Sequence, residues 1–134
     1  MLNKLSSKNR GGFTLVEIMI VVAIIALLAA IAVPGFLRAR KRSQASKVLN
    51  DLRMIDSAVD QYAIENRMKT GDVVPFEGWK NYVKKDSILF TTGADLFGAT
   101  YGDQTVDTLP KVAQTTFDAL SDVAGTEFFS PYGP

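Results

Sequence analysis

A single carboxylate, Glu17, interrupts a stretch that is otherwise apolar almost throughout, from Gly11 to Phe36. Placing a charged side chain within a bilayer costs about 2.5–3.5 kcal/mol even on lenient insertion scales. An acid kept at such a position either pairs with a cation inside the membrane or reaches the interface by snorkelling. The two glycines and the aromatic residue ahead of it, which end at Phe13, form part of the same pattern.

The apolar run is long enough to cross a membrane. No side chain between Ile18 and Val33 is charged or strongly polar, and extension to Leu37 gives twenty residues. A helix of that length spans about 30 Å, the thickness of a hydrocarbon core. Since a small soluble domain rarely buries a helix that is apolar on every face, we expect a transmembrane segment. Pro34 and Gly35 lie within it and predict a helix kink.

Composition excludes several kinds of chemistry. The chain of 134 residues has no cysteine and no histidine, which removes disulfides, thiolate and histidine catalysis and the usual zinc ligands. The sequence has no nucleophile elbow, phosphate-binding glycine loop or metal triad, so we expect no enzymatic activity and no cofactor. The net charge is +1, and the basic residues cluster only beside the apolar run, which argues against direct nucleic-acid binding.

The basic residues ahead of the apolar run, Lys4, Lys8 and Arg10, are typical of a targeting segment. An ordinary signal peptide cut after Ala32 would release a secreted binding domain, and an uncleaved signal anchor is a further alternative. Neither has a use for Glu17 or for the glycine pair. Positive charge also follows the run, so the charge rule alone leaves the orientation open.

Residues 12–17, with the sequence GFTLVE, resemble the processing signature of type IV prepilins. The resemblance implies that a membrane peptidase cuts between Gly12 and Phe13 and that the new amino group of Phe13 is methylated. It also implies that Glu17 partners the charged amino terminus of a neighbouring subunit in a homo-oligomeric filament. Further implied partners are an assembly platform and a cytoplasmic ATPase. The amino terminus would lie in the cytoplasm of a bacterial cell, with a single pass through the inner membrane and a periplasmic head.

The same resemblance implies a pilin-like α+β fold: a long helix packed on a small domain with short helices and a small antiparallel sheet. We expect a leader at residues 1–12, a transmembrane and assembly half of the helix at 13–37, an amphipathic half at 38–69 and a head at 70–134. The helix should run from about Thr14 to Met68, with Gly71 as its C′ residue. Its predicted apolar stripe comprises Ala45, Val48, Leu49, Leu52, Ile55, Ala58, Val59, Tyr62 and Ala63.

The segment from Asp95 to Tyr101 resembles the Asp-x-Trp-Gly-x-x-Tyr motif of major pseudopilins from type II secretion systems. Phe97 stands in place of the tryptophan, and Gly98 follows it. We predict a hairpin, with a strand from Phe97 to Tyr101, a turn at residues 102–103 and a return strand over residues 105–107. The resemblance favours a secretion pseudopilin, with a type IV pilus pilin as the alternative.

Related pseudopilins often bind calcium in this region. Asp95, Asp103, Asp107, Asp118 and Asp122 could supply oxygen ligands, but their spacing matches no fixed calcium loop, and solvated carboxylates are the preferred interpretation.

The remaining predictions concern local structure near the end of the chain. Thr115 and Asp118 form an approximate capping box for a helix from Thr116 to Ala124, with Gly125 ending it. Three aromatic residues, Phe128, Phe129 and Tyr132, should close the small core.

Overall fold

The computed structural model describes residues 11–134. These residues fall into two compact units, one ending at Leu37 and one running from Arg38 to Pro134. A single α-helix, α1 (Leu15–Glu65), passes through both sequence ranges.

The first unit consists of the amino-terminal part of α1 and the few residues ahead of it. It includes an 18-residue window that is apolar enough to cross a membrane, and none of that window is buried. Its large apolar side chains, among them Phe13, Leu15, Ile31 and Phe36, are exposed. Hydrocarbon side chains on every face need lipid or other protein to cover them. Helical structure continues through Pro34, where the predicted kink stays a prediction.

The second unit as a whole, residues 38–134, is called the head from here on, and it consists of short elements packed on the remaining part of α1. They are β1 (Val73–Val74), α2 (Phe76–Trp79), a 3₁₀ helix (Lys80–Tyr82), α3 (Ile88–Thr92), β2 (Gln104–Thr105), α4 (Gln114–Leu120) and α5 (Thr126–Phe129). Strands β1 and β2 pair antiparallel, with Val73 opposite Thr105. This arrangement confirms the predicted pilin-like α+β fold, in which short helices and a small sheet lie against a long helix.

Two hydrophobic clusters cover the predicted stripe of α1. The cluster nearer the end of α1 joins Ile55, Ala58, Val59 and Ala63 to Val74, Trp79, Val83, Leu89 and Val106. The other cluster joins Ala45, Val48 and Leu52 to Val112, Leu120, Ala124, Phe129 and Tyr132. Leu49 and Tyr62 are half-buried beside them. The three-and-four spacing of apolar residues therefore identified the buried face, and Phe129 and Tyr132 close the core as predicted.

Helix α1 ends earlier than predicted, and Gly71 is not its C′ residue. The amide of Met68 donates to the carbonyl of Ala63 at 2.9 Å, and the amide of Arg67 donates to that of Ile64 at 3.3 Å. These bonds form a Schellman motif. Its left-handed C′ position is occupied by Arg67, whose φ is 53°. The prediction is wrong because it assumed that the first glycine after the apolar stripe occupies the C′ position, whereas an arginine does.

Candidate functional site

The predicted assembly residues lie at the start of α1. The amide of Thr14 donates to the Glu17 carboxylate at 3.0 Å, and the amide of Glu17 donates to the Thr14 hydroxyl at 3.2 Å. These reciprocal bonds form a capping box, which satisfies two amides that the first turn of a helix leaves free. The sequence contains this signature at residues 14–17, whereas the prediction gave Glu17 only a docking or snorkelling role. The structure adds an intramolecular partner for the carboxylate.

Gly12 has no role in the described fold that demands a glycine. A Cβ built at this position would meet no other atom within 4 Å, and its φ is not in the left-handed region. The same open space surrounds Gly35. Phe13 is 87% exposed, so the described residues do not use its ring for packing. The packing of the described residues therefore does not explain why a glycine precedes an exposed aromatic residue here.

The predicted hairpin from Phe97 to Asp107 is wrong. Residues 94–100 fold back on themselves, with an antiparallel bridge between Ala94 and Thr100. The amide of Tyr101 donates to the carbonyl of Gly93 at 2.8 Å, and β2 pairs with β1. The backbone groups that a hairpin needs are therefore bonded elsewhere.

Asp95 holds this loop closed, and we call residues 94–101 the Asp95 loop. The Asp95 carboxylate accepts from the amides of Phe97, at 2.8 Å, and Ala99, at 3.0 Å. The carboxylate also accepts from the hydroxyl of Thr116 in α4. Asp95 is only 3% exposed and Thr116 is fully buried, so the carboxylate links the loop to α4 inside the head. Gly98 lies in the loop with φ of +85°, a conformation that glycine adopts without strain.

The capping prediction at Thr115 is wrong. Helix α4 begins at Gln114 with Ala113 as its N-cap and no side-chain cap, and it ends at Leu120 rather than at Ala124. Gly125 does not end this helix but precedes α5 as its N-cap.

The phenol of Tyr101 lies in the same region without a hydrogen-bond partner. Burial, together with the charges of Asp95 and Asp51, raises the pKa of the Tyr101 phenol above its ordinary value, so the phenol stays protonated. Asp51 is a buried carboxylate on α1, 3% exposed, and it pairs with Lys47 at 2.8 Å. Asp51 is not among the residues of the predicted apolar stripe, so its burial was not expected. An acid four residues after a lysine was the signal that could have indicated an ion pair.

The five aspartates considered as calcium ligands do not come together. Asp103 accepts from the amide of Phe76 at the start of α2, Asp107 accepts from the Thr70 hydroxyl, and Asp118 accepts from the Gln114 side chain. Among residues 11–134, no group of three or more acidic side chains could hold a metal ion. The aspartates make local bonds instead.

Asp122, the last of these, binds Lys41 at 2.9 Å across the head. The Lys41 ammonium hydrogen-bonded to Asp122 holds the pKa of that carboxyl below its ordinary value, and the charge of Arg38 acts in the same direction. A cleft of about 280 Å³ lies beside this pair, lined by Arg38, Ala39, Arg42, Asp122 and Val123.

Comparison with known proteins identifies the class defined by the amino-terminal site. The family model described as the prokaryotic N-terminal methylation motif matches residues 7–33. This range contains Gly12, Phe13 and Glu17, and it extends through most of the apolar run.

The similar proteins are filament and secretion components. The type IV major fimbrial protein FimA of Dichelobacter nodosus is 38% identical over 93 residues, which is 68% of this chain and 56% of FimA. The type II secretion system core protein G of Klebsiella pneumoniae is 38% identical over 59 residues, 44% of this chain and 42% of that protein. The wide pilus component PilA4 of Thermus thermophilus is 42% identical over 65 residues, 48% of this chain and 50% of PilA4.

The chain spans about half the length of the curated relatives it matches. No solved structure matches it. The chain thus carries a prokaryotic N-terminal methylation motif and is similar to both type IV pilins and type II secretion core proteins G.

Proposed function

We propose that this chain is a structural subunit of a type IV family filament, anchored in the membrane by the first half of α1. The observation that carries the proposal is the combination of Glu17, within a processing motif, with a first half of α1 whose apolar side chains are exposed on every face. Lipid covers those side chains before assembly, and other subunits cover them in the filament. The partners are a prepilin peptidase and methyltransferase, an assembly platform and a cytoplasmic ATPase.

The capping box gives Glu17 a partner in the waiting subunit. A carboxylate that accepts an amide hydrogen bond is stabilised in its charged form, which reduces the cost of holding it near lipid. In the filament, the same carboxylate pairs with the methylated amino group of Phe13 of a neighbouring subunit. The carboxylate and the amino group can pair at only one offset of neighbouring subunits along the filament axis, so the pair sets the register of the subunits.

The variant Glu17→Gln separates the two roles of this side chain. A glutamine at the third helical position also completes a capping box, so the cap persists while the negative charge is lost. We expect normal processing and membrane insertion but no filaments, measured by mass spectrometry and electron microscopy. Thr14→Val is the matched control, because it removes the capping hydroxyl and retains the charge, and it should still assemble. Normal filaments from Glu17→Gln would contradict the proposed register mechanism.

Within this family we propose a type II secretion pseudopilin as the particular role. The Asp95 loop supports this choice, since its acid, aromatic, glycine and tyrosine follow the pseudopilin-like pattern. The longer alignment with the fimbrial protein FimA favours a second candidate, a pilus pilin. Deletion of the gene should abolish export of secreted proteins if the first role is correct, and should abolish surface pili with export intact if the second is correct.

The mature amino terminus tests the proposal against an ordinary signal peptide. Mass spectrometry should find a methylated Phe13 at the start of the purified protein. A protein that begins at Val33 would instead be a secreted domain.

A further inference from the structure

The cleft beside Asp122 has the chemistry of a phosphate-binding surface. Arg38 and Arg42 line it, and they lie four residues apart, on one face of α1. No acidic side chain of residues 11–134 lies within 4.0 Å of either guanidinium, whereas Lys41 is paired with Asp122. Two neighbouring guanidinium groups can bind phosphate oxygens in a bidentate manner, which a single ammonium cannot do.

The position of the two arginines indicates the source of the phosphate. Arg38 directly follows Leu37, the last residue of the predicted span, within the same helix. Each residue advances a helix by about 1.5 Å, so Arg38 and Arg42 come within about 8 Å of the end of the hydrocarbon segment along the helix axis. Lipid phosphates occupy the polar layer at that depth. The exposed stems of arginine can also lie along lipid while their charged ends reach the headgroups.

We propose that Arg38 and Arg42 form a binding site for the phosphate of an anionic phospholipid, such as phosphatidylglycerol, on the side of the membrane that carries the head. The cleft of about 280 Å³ between α1 and the turn at Asp122–Val123 receives the headgroup. This inference rests on the membrane anchoring of the proposed function, but it does not require filament assembly.

The ion pair between Lys41 and Asp122 has a defined part in the site. Asp122 is the acidic residue among those lining the cleft, and Lys41 neutralises it at 2.9 Å. Removing the Asp122 charge should therefore strengthen anion binding, since the phosphate would meet an additional free cation. This expectation distinguishes a cleft from a diffuse basic surface. Asp122 is distant from the arginines in the sequence and lies beside them only because the head is folded.

The chain offers a matched control in Arg40. It has the same charge and a similar distance from Leu37 as its neighbours, but it is absent from the lining of the cleft. Two residues after Arg38, it points about 200° around the helix. A diffuse attraction of cations to an anionic surface is worth about fivefold in affinity per charge and would affect all three positions equally. A defined site requires that Arg38 and Arg42 each contribute more to lipid affinity than Arg40 does.

The test uses the full chain in vesicles of phosphatidylcholine with 5 mol% spin-labelled phosphatidylglycerol or spin-labelled phosphatidylcholine. Electron paramagnetic resonance measures the fraction of each lipid immobilised by the protein, and hence the selectivity for the anionic lipid. We expect R38Q and R42Q each to lose more selectivity than R40Q, whose loss should be no more than about fivefold. The R38Q/R42Q variant should lose more than the roughly 25-fold that two diffuse charges would give, and D122N should gain selectivity. Circular dichroism of each variant establishes that the helix is intact.

Three outcomes would overturn the proposal. Equal losses in R40Q and in either single variant, R38Q or R42Q, would indicate diffuse electrostatics. Suppression of the selectivity by 10 mM inorganic phosphate would indicate a site for free phosphate. Unchanged selectivity in R38Q/R42Q, combined with loss of filaments, would assign the arginines to the acidic surface of a second copy. Since R38Q/R42Q retains Phe13 and Glu17, its methylated amino terminus and filaments report on the proposed function independently.

Discussion

The Asp95 loop provides the sharpest test of how the head is held together. Replacing Asp95 by alanine removes the acceptor for two backbone amides and for the buried hydroxyl of Thr116. A hydrogen bond to a charged group contributes about 1.5–3 kcal/mol, and the three share one carboxylate, so their contributions do not add. Alanine also removes the cost of burying a carboxylate that is 3% exposed. We therefore expect the free energy of unfolding to fall by about 2–4 kcal/mol.

The measurement follows urea unfolding of the full chain in detergent by tryptophan fluorescence. The single tryptophan, Trp79, is fully buried in the cluster at the end of α1, so its emission reports on the head. A head of this size should unfold with a slope of about 1–1.5 kcal/mol per molar urea, so the midpoint should fall by about 2–3 M.

Two further variants make the result interpretable. Asp95→Asn keeps an acceptor oxygen for the loop amides, so its loss should be smaller, about 1 kcal/mol. Asp118→Ala removes a carboxylate from the neighbouring helix whose one partner is the exposed Gln114 side chain, and it should change stability by less than about 0.5 kcal/mol. If Asp95→Ala unfolds at the wild-type midpoint, or if Asp118→Ala loses as much, the carboxylate does not hold the loop and the reasoning fails.

Four other substitutions test three separate features by the same urea assay. Tyr101→Phe removes a buried hydroxyl without a partner and should raise stability by about 1 kcal/mol. Because the folded-state pKa of Tyr101 is raised, wild-type stability should fall as the pH rises above about 10, and the fall should be smaller in Tyr101→Phe; identical alkaline profiles would contradict this. Arg67→Gly relieves a left-handed residue with φ of 53° and should add about 0.5–1 kcal/mol, whereas a lower midpoint would show that the arginine side chain is needed. Gly93→Ala should cost more than twice as much as Gly98→Ala, because both have positive φ but only a Cβ at Gly93 would clash, 2.7 Å from the Phe76 ring; equal losses would exclude the clash.

The features that the sequence predicts well depend on periodicity. The apolar stripe of α1 is set by a repeat of 3.6 residues, and every buried apolar residue of that helix belongs to the predicted set. Phe76, Trp79 and Tyr82 are likewise three residues apart, a spacing typical of a helix, and α2 begins at Phe76. Such patterns predict the structure well because the free energy gained by burying a whole helix face exceeds the local conformational preference of any one residue.

The features that the sequence predicts poorly depend on hydrogen bonds made by single side chains, some of them to residues distant in the sequence. The bond from Thr116 to Asp95 could not be predicted, because the two residues lie 21 positions apart in the sequence, whereas the bond from the Phe97 amide is a local one that aspartate commonly makes in turns. A loop bonded within residues 93–101 stands where a hairpin was predicted, and α4 begins at Gln114, two residues before the predicted start at Thr116. At the amino terminus, residues 14–17 contained the capping signature, but the membrane setting favoured an interpretation based on the charge of Glu17 rather than on its hydrogen bonds.

The division of the head core into two clusters has a consequence for the order of folding. The cluster at the end of α1 is built from a nearly continuous segment, residues 55–106, whereas the other cluster joins residues 45–52 to residues 112–132. Contacts between distant segments require closure of a long loop, so they form more slowly than local ones. The segment around Trp79 should therefore acquire protection from hydrogen exchange first, and it would serve as the template on which the remaining chain docks.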